Sequence, residues 1–147
     1  MKNREPTAAF HPGEQLLQQR LGVREKMAEV GQRVIRDYMP EQHRTFFSQL
    51  RMLLIGALDP YGQPWALLFT GPAGFIASPD PRALRISGPG IAGPHPGGIT
   101  LETGAPIGML GLDFSTRRRN RANGEILARH GDHIDVVVTE SFGNCPK

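Results

Sequence analysis

Only one cysteine, Cys145, occurs in the 147 residues. An internal disulfide is therefore excluded, as is a structural zinc site built on several thiolates. A chain with one thiol suits a reducing compartment. The first residues, Met1 to Pro6, lack the apolar core of a secretory signal, and a cytoplasmic location is expected. No stretch reaches the roughly 20 apolar residues that a membrane-spanning helix needs, so no membrane partner is expected. Excess charge is small, with a formal net charge of +3. A general nucleic-acid binder carries several basic patches, whereas the basic residues cluster here once, at Arg117, Arg118, Arg119 and Arg121. Aromatic residues make up 7% of the chain and none interleaves that cluster. Base stacking thus has no platform there, and nucleic acid is the weakest reading of the cluster.

Glycine and proline are abundant, at 18 and 13 residues. A chain that turns so often favours short strands over a helical bundle. From Glu14 to Gln49 the period is helical. Val23, Met27, Val30, Val34, Ile35 and Tyr38 form an apolar stripe opposite Arg24, Glu25, Gln32, Arg33 and Arg36. Met39-Pro40 interrupts the run, and a further helix then buries Phe46, Phe47 and Leu50. The period changes after Arg51. Met52 to Leu58 and Trp65 to Phe69 flank Asp59-Pro60-Tyr61-Gly62, whose residues suit a hairpin turn. Further strands are expected at Phe75 to Ala77, Ala83 to Ser87, Ile107 to Leu112, Arg117 to Ile126 and His133 to Thr139. Gly88 to Gly98 reads as a long mobile loop able to hold neither helix nor ladder. The expected architecture is a helical N-terminus followed by six or seven strands in a small closed or partly closed barrel. Few helices separate the strands, which argues against a doubly wound sheet.

Motifs for direct chemistry are sparse. Gly88-Pro-Gly90-Ile-Ala-Gly93 matches the dinucleotide fingerprint by letter, but Pro94-His95-Pro96 follows where a helix must open. The five histidines show no metal-binding helical spacing, and His130 and His133 read as exposed residues flanking the turn Gly131-Asp132, so no metal is expected. No serine sits in a nucleophile elbow, and Cys145 has no identifiable base partner in sequence. The most informative stretch is Arg117 to Gly124. On a strand, Arg117, Arg119, Arg121 and Asn123 share one face, and Arg118, Asn120 and Ala122 the other. Guanidinium groups bind phosphate through a planar fork, but positive edge strands also block sheet-to-sheet aggregation. On physics alone the two readings stand level. Ser141 to Pro146 reads as a barrel-closing loop.

Six segments occur in a familiar order: His11-Pro-Gly-Glu14, Met39-Pro-Glu-Gln-His43, Gly62-Gln-Pro-Trp-Ala66, Ser78-Pro-Asp-Pro-Arg82, Thr116-Arg-Arg-Arg-Asn-Arg121 and Ser141-Phe-Gly-Asn-Cys-Pro-Lys147. Through them the chain resembles bacterial pyridoxamine 5′-phosphate oxidase-related, FMN-binding proteins. The resemblance implies a mainly β fold with N-terminal helices: a six-stranded split β-barrel whose homodimer interface holds two flavins. Residues 1–50 would form a helical segment packed on a barrel of residues 51–147, one structural domain in all. FMN would lie along Gln63 to Thr70, with Trp65, Leu67 and Thr70 lining its ring. Ser78 and Arg82 would hold the phosphate, Arg119 and Asn123 would add polar contacts, and Asn144 would reach in from the closing loop. The family's oxidases carry an Arg and a Lys on the flavin-lining strand, and an Arg-Lys pair where this chain has Arg82-Ala83. Trp65 to Thr70 has no basic residue, which argues against pyridoxamine phosphate as substrate. The expected function is a flavoprotein oxidoreductase acting on a small-molecule substrate or electron donor. The alternative is a non-catalytic dimeric barrel that binds flavin or another anionic ligand.

Overall fold

The computed structural model describes residues 9–143. The chain divides into two compact units, Met1–Arg36 and Asp37–Lys147. The division precedes the change of sequence period at Arg51 because the third helix contributes its apolar face to the sheet's core.

The first unit holds α1 (Pro12–Arg20) and α2 (Arg24–Val34). His11-Pro-Gly-Glu14 is a helix start. His11 Nδ1 accepts from the Gly13 amide at 3.1 Å, while Glu14 accepts from the His11 amide at 2.8 Å. Together these bonds satisfy amide donors that the first turn of a helix leaves orphaned. Gly31 is the buried residue of α2, packed against Ala9 and Phe10. No described helix is long and apolar enough to cross a membrane.

The second unit is α3 (Glu41–Gln49) and an antiparallel sheet of seven strands: β1 (Met52–Leu58), β2 (Pro64–Thr70), β3 (Ile76–Ala77), β4 (Ala83–Ser87), β5 (Pro106–Asp113), β6 (Arg118–Arg129) and β7 (His133–Gly143). Their order is β2-β1-β5-β6-β7-β4-β3. The fold is thus mainly β with N-terminal helices, and the sheet has seven strands rather than six, because the two residues of β3 pair with β4 at Ile76↔Ile86 and Ala77↔Arg85. β2 and β3 are the two ends of that order, yet only residues 71–75 join them. Six Cα steps reach about 20 Å. Seven flat strands would hold their edges about 29 Å apart. The sheet must therefore curl until its edges approach.

Alternation fills the concave side. Leu53, Ile55 and Ala57 of β1 face inward with Leu67 and Phe69 of β2, Ile107 and Met109 of β5, Ala122 and Ile126 of β6, and Ile134, Val136 and Val138 of β7. α3 lies against β5 by way of Phe46, Phe47 and Leu50, and a Cβ at Gly111 would come within 2.6–3.0 Å of all three. Glycine at that strand position is what allows the helix to approach so closely. Arg118 stacks over the Phe46 ring at 5.0 Å, and the buried His43 Nδ1 meets Ser141 Oγ at 3.0 Å, tying the helix to β6 and β7.

Two sequence expectations change here. Gly88 to Gly98 holds a one-turn helix, α4 (Pro89–Ala92), and a 3₁₀ turn at Pro96–Gly98. Ile91, with Ile99 and Leu101 just beyond, is buried. Proline tolerates the first helical position, and the apolar anchors hold the segment against the core. Ser141 to Gly143 extend β7 instead of forming a loop; Asn144 and Cys145 lie outside the described residues.

Opposite Asn123 and Gly124 of β6, β7 carries a bulge with Thr139 as its extra residue. A Cβ on Gly124 would sit 2.0 Å from the Val137 carbonyl oxygen, which is backbone and cannot step aside. Gly124→Ala should destabilise the protein by about 3 kcal/mol, the upper end for an overpacked interior; urea denaturation measures it, and a loss under about 1 kcal/mol would mean the bulge relaxes freely.

Candidate functional site

On the outward face of β2, β1, β5 and β6, register aligns two rows. The first runs Leu68, Leu54, Leu110, Arg121, Phe142. The second runs Ala66, Gly56, Gly108, Asn123, Glu140. Three neighbouring strands thus present no side chain larger than a methyl in the second row, beside a row of leucines. A Cβ at Gly56 would find only the Gly108 carbonyl, at 3.9 Å, so the space above it is open. Leu68 is 55% exposed on this face. The result is an apolar floor with little side-chain bulk along its second row. At its β6 side stand Arg119, Arg121 and Asn123, the last donating from Nδ2 to Glu140 at 3.0 Å. A planar apolar ring with an anionic tail matches this combination of floor and flanking cations.

The structure distributes the expected cofactor residues over three places. Thr70, Arg119 and Asn123 lie on the outward face, Thr70 opposite Met52 and Arg119 opposite Leu112. Leu67 is in the core at 7% exposure. Trp65 shares the inward parity of Leu67, at the strand's end: its Nε1 donates to Asp59 at 3.1 Å and Gly97 packs against its indole. Strand alternation separates residues 65 and 67 from residue 70, so these three do not line one surface. Ser78 and Arg82 stand together in the β3–β4 connection but already have partners. Ser78 Oγ accepts from Arg44 at 3.0 Å and donates to the Asp80 carbonyl at 2.8 Å, while Arg82 pairs with Asp37. That pair is exposed on both sides, and such pairs exchange for another anion at small cost. Asn144 lies outside the described residues. The floor residues Gly56, Ala66 and Gly108 were missed; glycines inside β1 and β5 were the available signal, because glycine within a strand often marks close approach of another group.

The arginine cluster does not form one patch. Arg117 precedes β6 in a turn with φ of 58°, Arg118 turns to Phe46, and Arg119 and Arg121 take the outward face with Asn123.

Two carboxylates shape the neighbouring turns. Asp59 accepts from the Tyr61 and Gln63 amides, both at 2.9 Å, and from Trp65; the Gln63 amide above all holds its carboxyl below the usual range. Asp113 accepts from the Thr116 hydroxyl at 2.6 Å and from the Ser115 amide and hydroxyl at 3.0 and 2.7 Å. Those bonds, Thr116 first, lower its carboxyl from 3.8 to about 2. On the concave side, His95 rests near the Phe69 ring, 5.7 Å between centroids. Burial, and then the charge of Arg129, hold its imidazole below the ordinary range, so it is a neutral aromatic packing residue at neutral pH.

No known protein-family model matches the chain, and no curated protein matches it. Among solved structures it is similar to HupZ of Group A Streptococcus, with a TM-score of 0.53 and 12% identity over 71% of this chain and 93% of HupZ. A single-substitution variant of HupZ gives the same TM-score and identity, over 72% and 99%. An F420 reductase aligns with a TM-score of 0.47 and 13% identity over 72% of this chain and 98% of its own. At 12% identity the likeness to HupZ establishes a shared fold.

The depressed Asp113 carboxyl gives a prediction for the turn that launches β6. Its folded value lies below its unfolded one, so the stabilisation is complete above about pH 5 and is lost as pH falls toward 2. Asp113→Asn should lower Tm near neutral pH, with the gap to the parent closing on acidification. Thermal melts by circular dichroism at stepped pH report this, and a gap that stays constant to pH 2 would mean the carboxylate charge is not what holds the turn.

Proposed function

We propose that this protein binds FMN on the outward floor of β2, β1, β5 and β6, as a homodimer of split β-barrel type, and acts as an oxidoreductase on a small-molecule substrate. One observation carries the reading: the row Ala66, Gly56, Gly108 clears a bed beside Leu54, Leu68 and Leu110, with Arg119, Arg121 and Asn123 one strand away. The sequence resemblance to FMN-binding split barrels supports it. So does the curled sheet whose edge strands approach.

The residues present suit such a cofactor. The glycine row admits a ring at van der Waals distance, the leucines supply apolar contact, and guanidiniums neutralise a phosphate. Bound flavin supplies the redox chemistry itself. The protein's part is to hold the ring flat, keep water from one face and anchor the charged tail. Glu140, at the end of the second row, accepts from Asn123 Nδ2 at 3.0 Å and would hold that amide beside the ring.

The apolar floor also favours a second copy. Leu58, Leu68 and Phe114 are exposed large apolar residues of this unit. An isologous pairing across this face would cover Leu68 and enclose the ring from its open side.

Purified protein should show flavin bands at about 370 and 450 nm, as bound or after adding FMN and removing the excess. Reduction by a nicotinamide donor should bleach the second band. Gly56→Leu should cut FMN retention by at least about tenfold, equivalent to about 1.4 kcal/mol, with Tm unchanged because the added side chain enters open space. Protein that never retains flavin would overturn the proposal. Flavin retained but inert to every donor would favour the non-catalytic barrel. Mass in solution should be that of two chains at micromolar concentration, and a monomer would remove the shared site.

A further inference from the structure

The far end of the β6–β7 hairpin lies away from the flavin floor in register and carries a different chemistry. The turn Gly131-Asp132 is closed by the His130 amide donating to the His133 carbonyl at 2.8 Å. Closure brings the two imidazoles together, with ring centroids 4.3 Å apart and planes within 19°. Asp135 lies two residues along β7 from His133 and so shares its face; its Oδ2 is 3.7 Å from His130 Nε2. One donor atom from each of His130, His133 and Asp135 falls within 4.8 Å of the others. Sequence spacing hid this set, because the carboxylate is delivered by strand alternation across a turn rather than by a helical repeat.

Two further contacts orient the cluster. Asp132 accepts from His133 Nδ1 at 2.8 Å, which leaves Nε2 of that ring with its lone pair directed elsewhere. A carboxylate behind a histidine is the usual support of a metal-bound imidazole. Arg85 of β4 grips Asp135 through both oxygens, at 2.7 and 2.9 Å, fixing the carboxylate while each oxygen keeps a second lone pair.

We propose that His130, His133 and Asp135 form a binding site for one divalent transition-metal ion, with Asp132 and Arg85 as positioning residues. Two imidazoles and one carboxylate select ions of borderline softness such as zinc(II), against magnesium and calcium, which prefer all-oxygen shells. Zinc–nitrogen distances of about 2.0–2.1 Å require the donors to close further, and the exposed His130 ring can swing to do so. Three protein ligands leave a position for water. The bound ion would fasten the hairpin end to β4 through Asp135 and Arg85.

The test uses the full, tag-free chain, stripped with chelator and titrated with zinc chloride by calorimetry at pH 7.5. One zinc per chain is expected. His130→Ala and His133→Ala should each weaken binding at least about tenfold, with far-UV circular dichroism unchanged. Imidazole NMR of the parent chain gives a second reading that needs no variant: zinc should move the ring signals of His130 and His133. Zinc that moves only His11, His43 or His95, variants that bind within tenfold of the parent, or a parent that takes up no zinc at 100 micromolar concentration would each overturn the site.

Discussion

The structure depends on a short tether. Residues 71–75 connect β2 to β3, the two ends of a seven-stranded order, and they are too few to cross a flat sheet of that width. Curling follows from chain length alone. Once the sheet is curled, its concave side must be filled, and the inward residues of β1, β2, β5, β6 and β7 fill it together with Ile91, Ile99 and Leu101 from the glycine- and proline-rich segment. The convex side is left to whatever the outward residues can attract. Across β2, β1 and β5 those residues include leucines, an alanine and glycines and no charged side chain, unlike those that ordinarily cover a solvated sheet.

That division explains why one strand serves two purposes. β6 sends Asn120 and Ala122 inward and Arg119, Arg121 and Asn123 outward. At Asn123/Gly124 the extra residue is Thr139 of β7, so β7 changes parity between Ser141 and Val138 while β6 keeps one parity from Asn120 through Ile126. The outward polar group and the apolar residues near Ile126 thus belong to one continuous strand without conflict. Asp113, Ser115 and Thr116 set where that strand begins.

Much of the fold was legible in the sequence. Met52–Leu58 and Ala83–Ser87 appear as strands with the bounds that periodicity gives, because short apolar runs ended by turn residues have few alternatives. Asp59-Pro60-Tyr61-Gly62 forms the hairpin turn its side chains dictate. The Gly88 to Gly98 segment was harder, since its order comes from tertiary burial of Ile91 and not from local preference. The candidate floor was hidden for a related reason. Gly56, Ala66 and Gly108 lie on three strands, and only register places them side by side. The assignment of Trp65, Leu67 and Thr70 to one surface overlooked a constraint already present in the residue numbers, since positions 65 and 67 cannot share a strand face with position 70.

The strand order also sets the sequence of assembly. β3 and β4 pair with each other early in the chain, but β4 finds its other neighbour only in β7, through Leu84↔Val136 and Ile86↔Ile134. Until β7 has been synthesised, β4 presents an unpaired edge with Leu84 and Ile86 uncovered, which is the kind of surface that draws other chains. The sheet therefore closes late, and a ribosome-bound chain ending before His133 is the state that most exposes this edge to other chains.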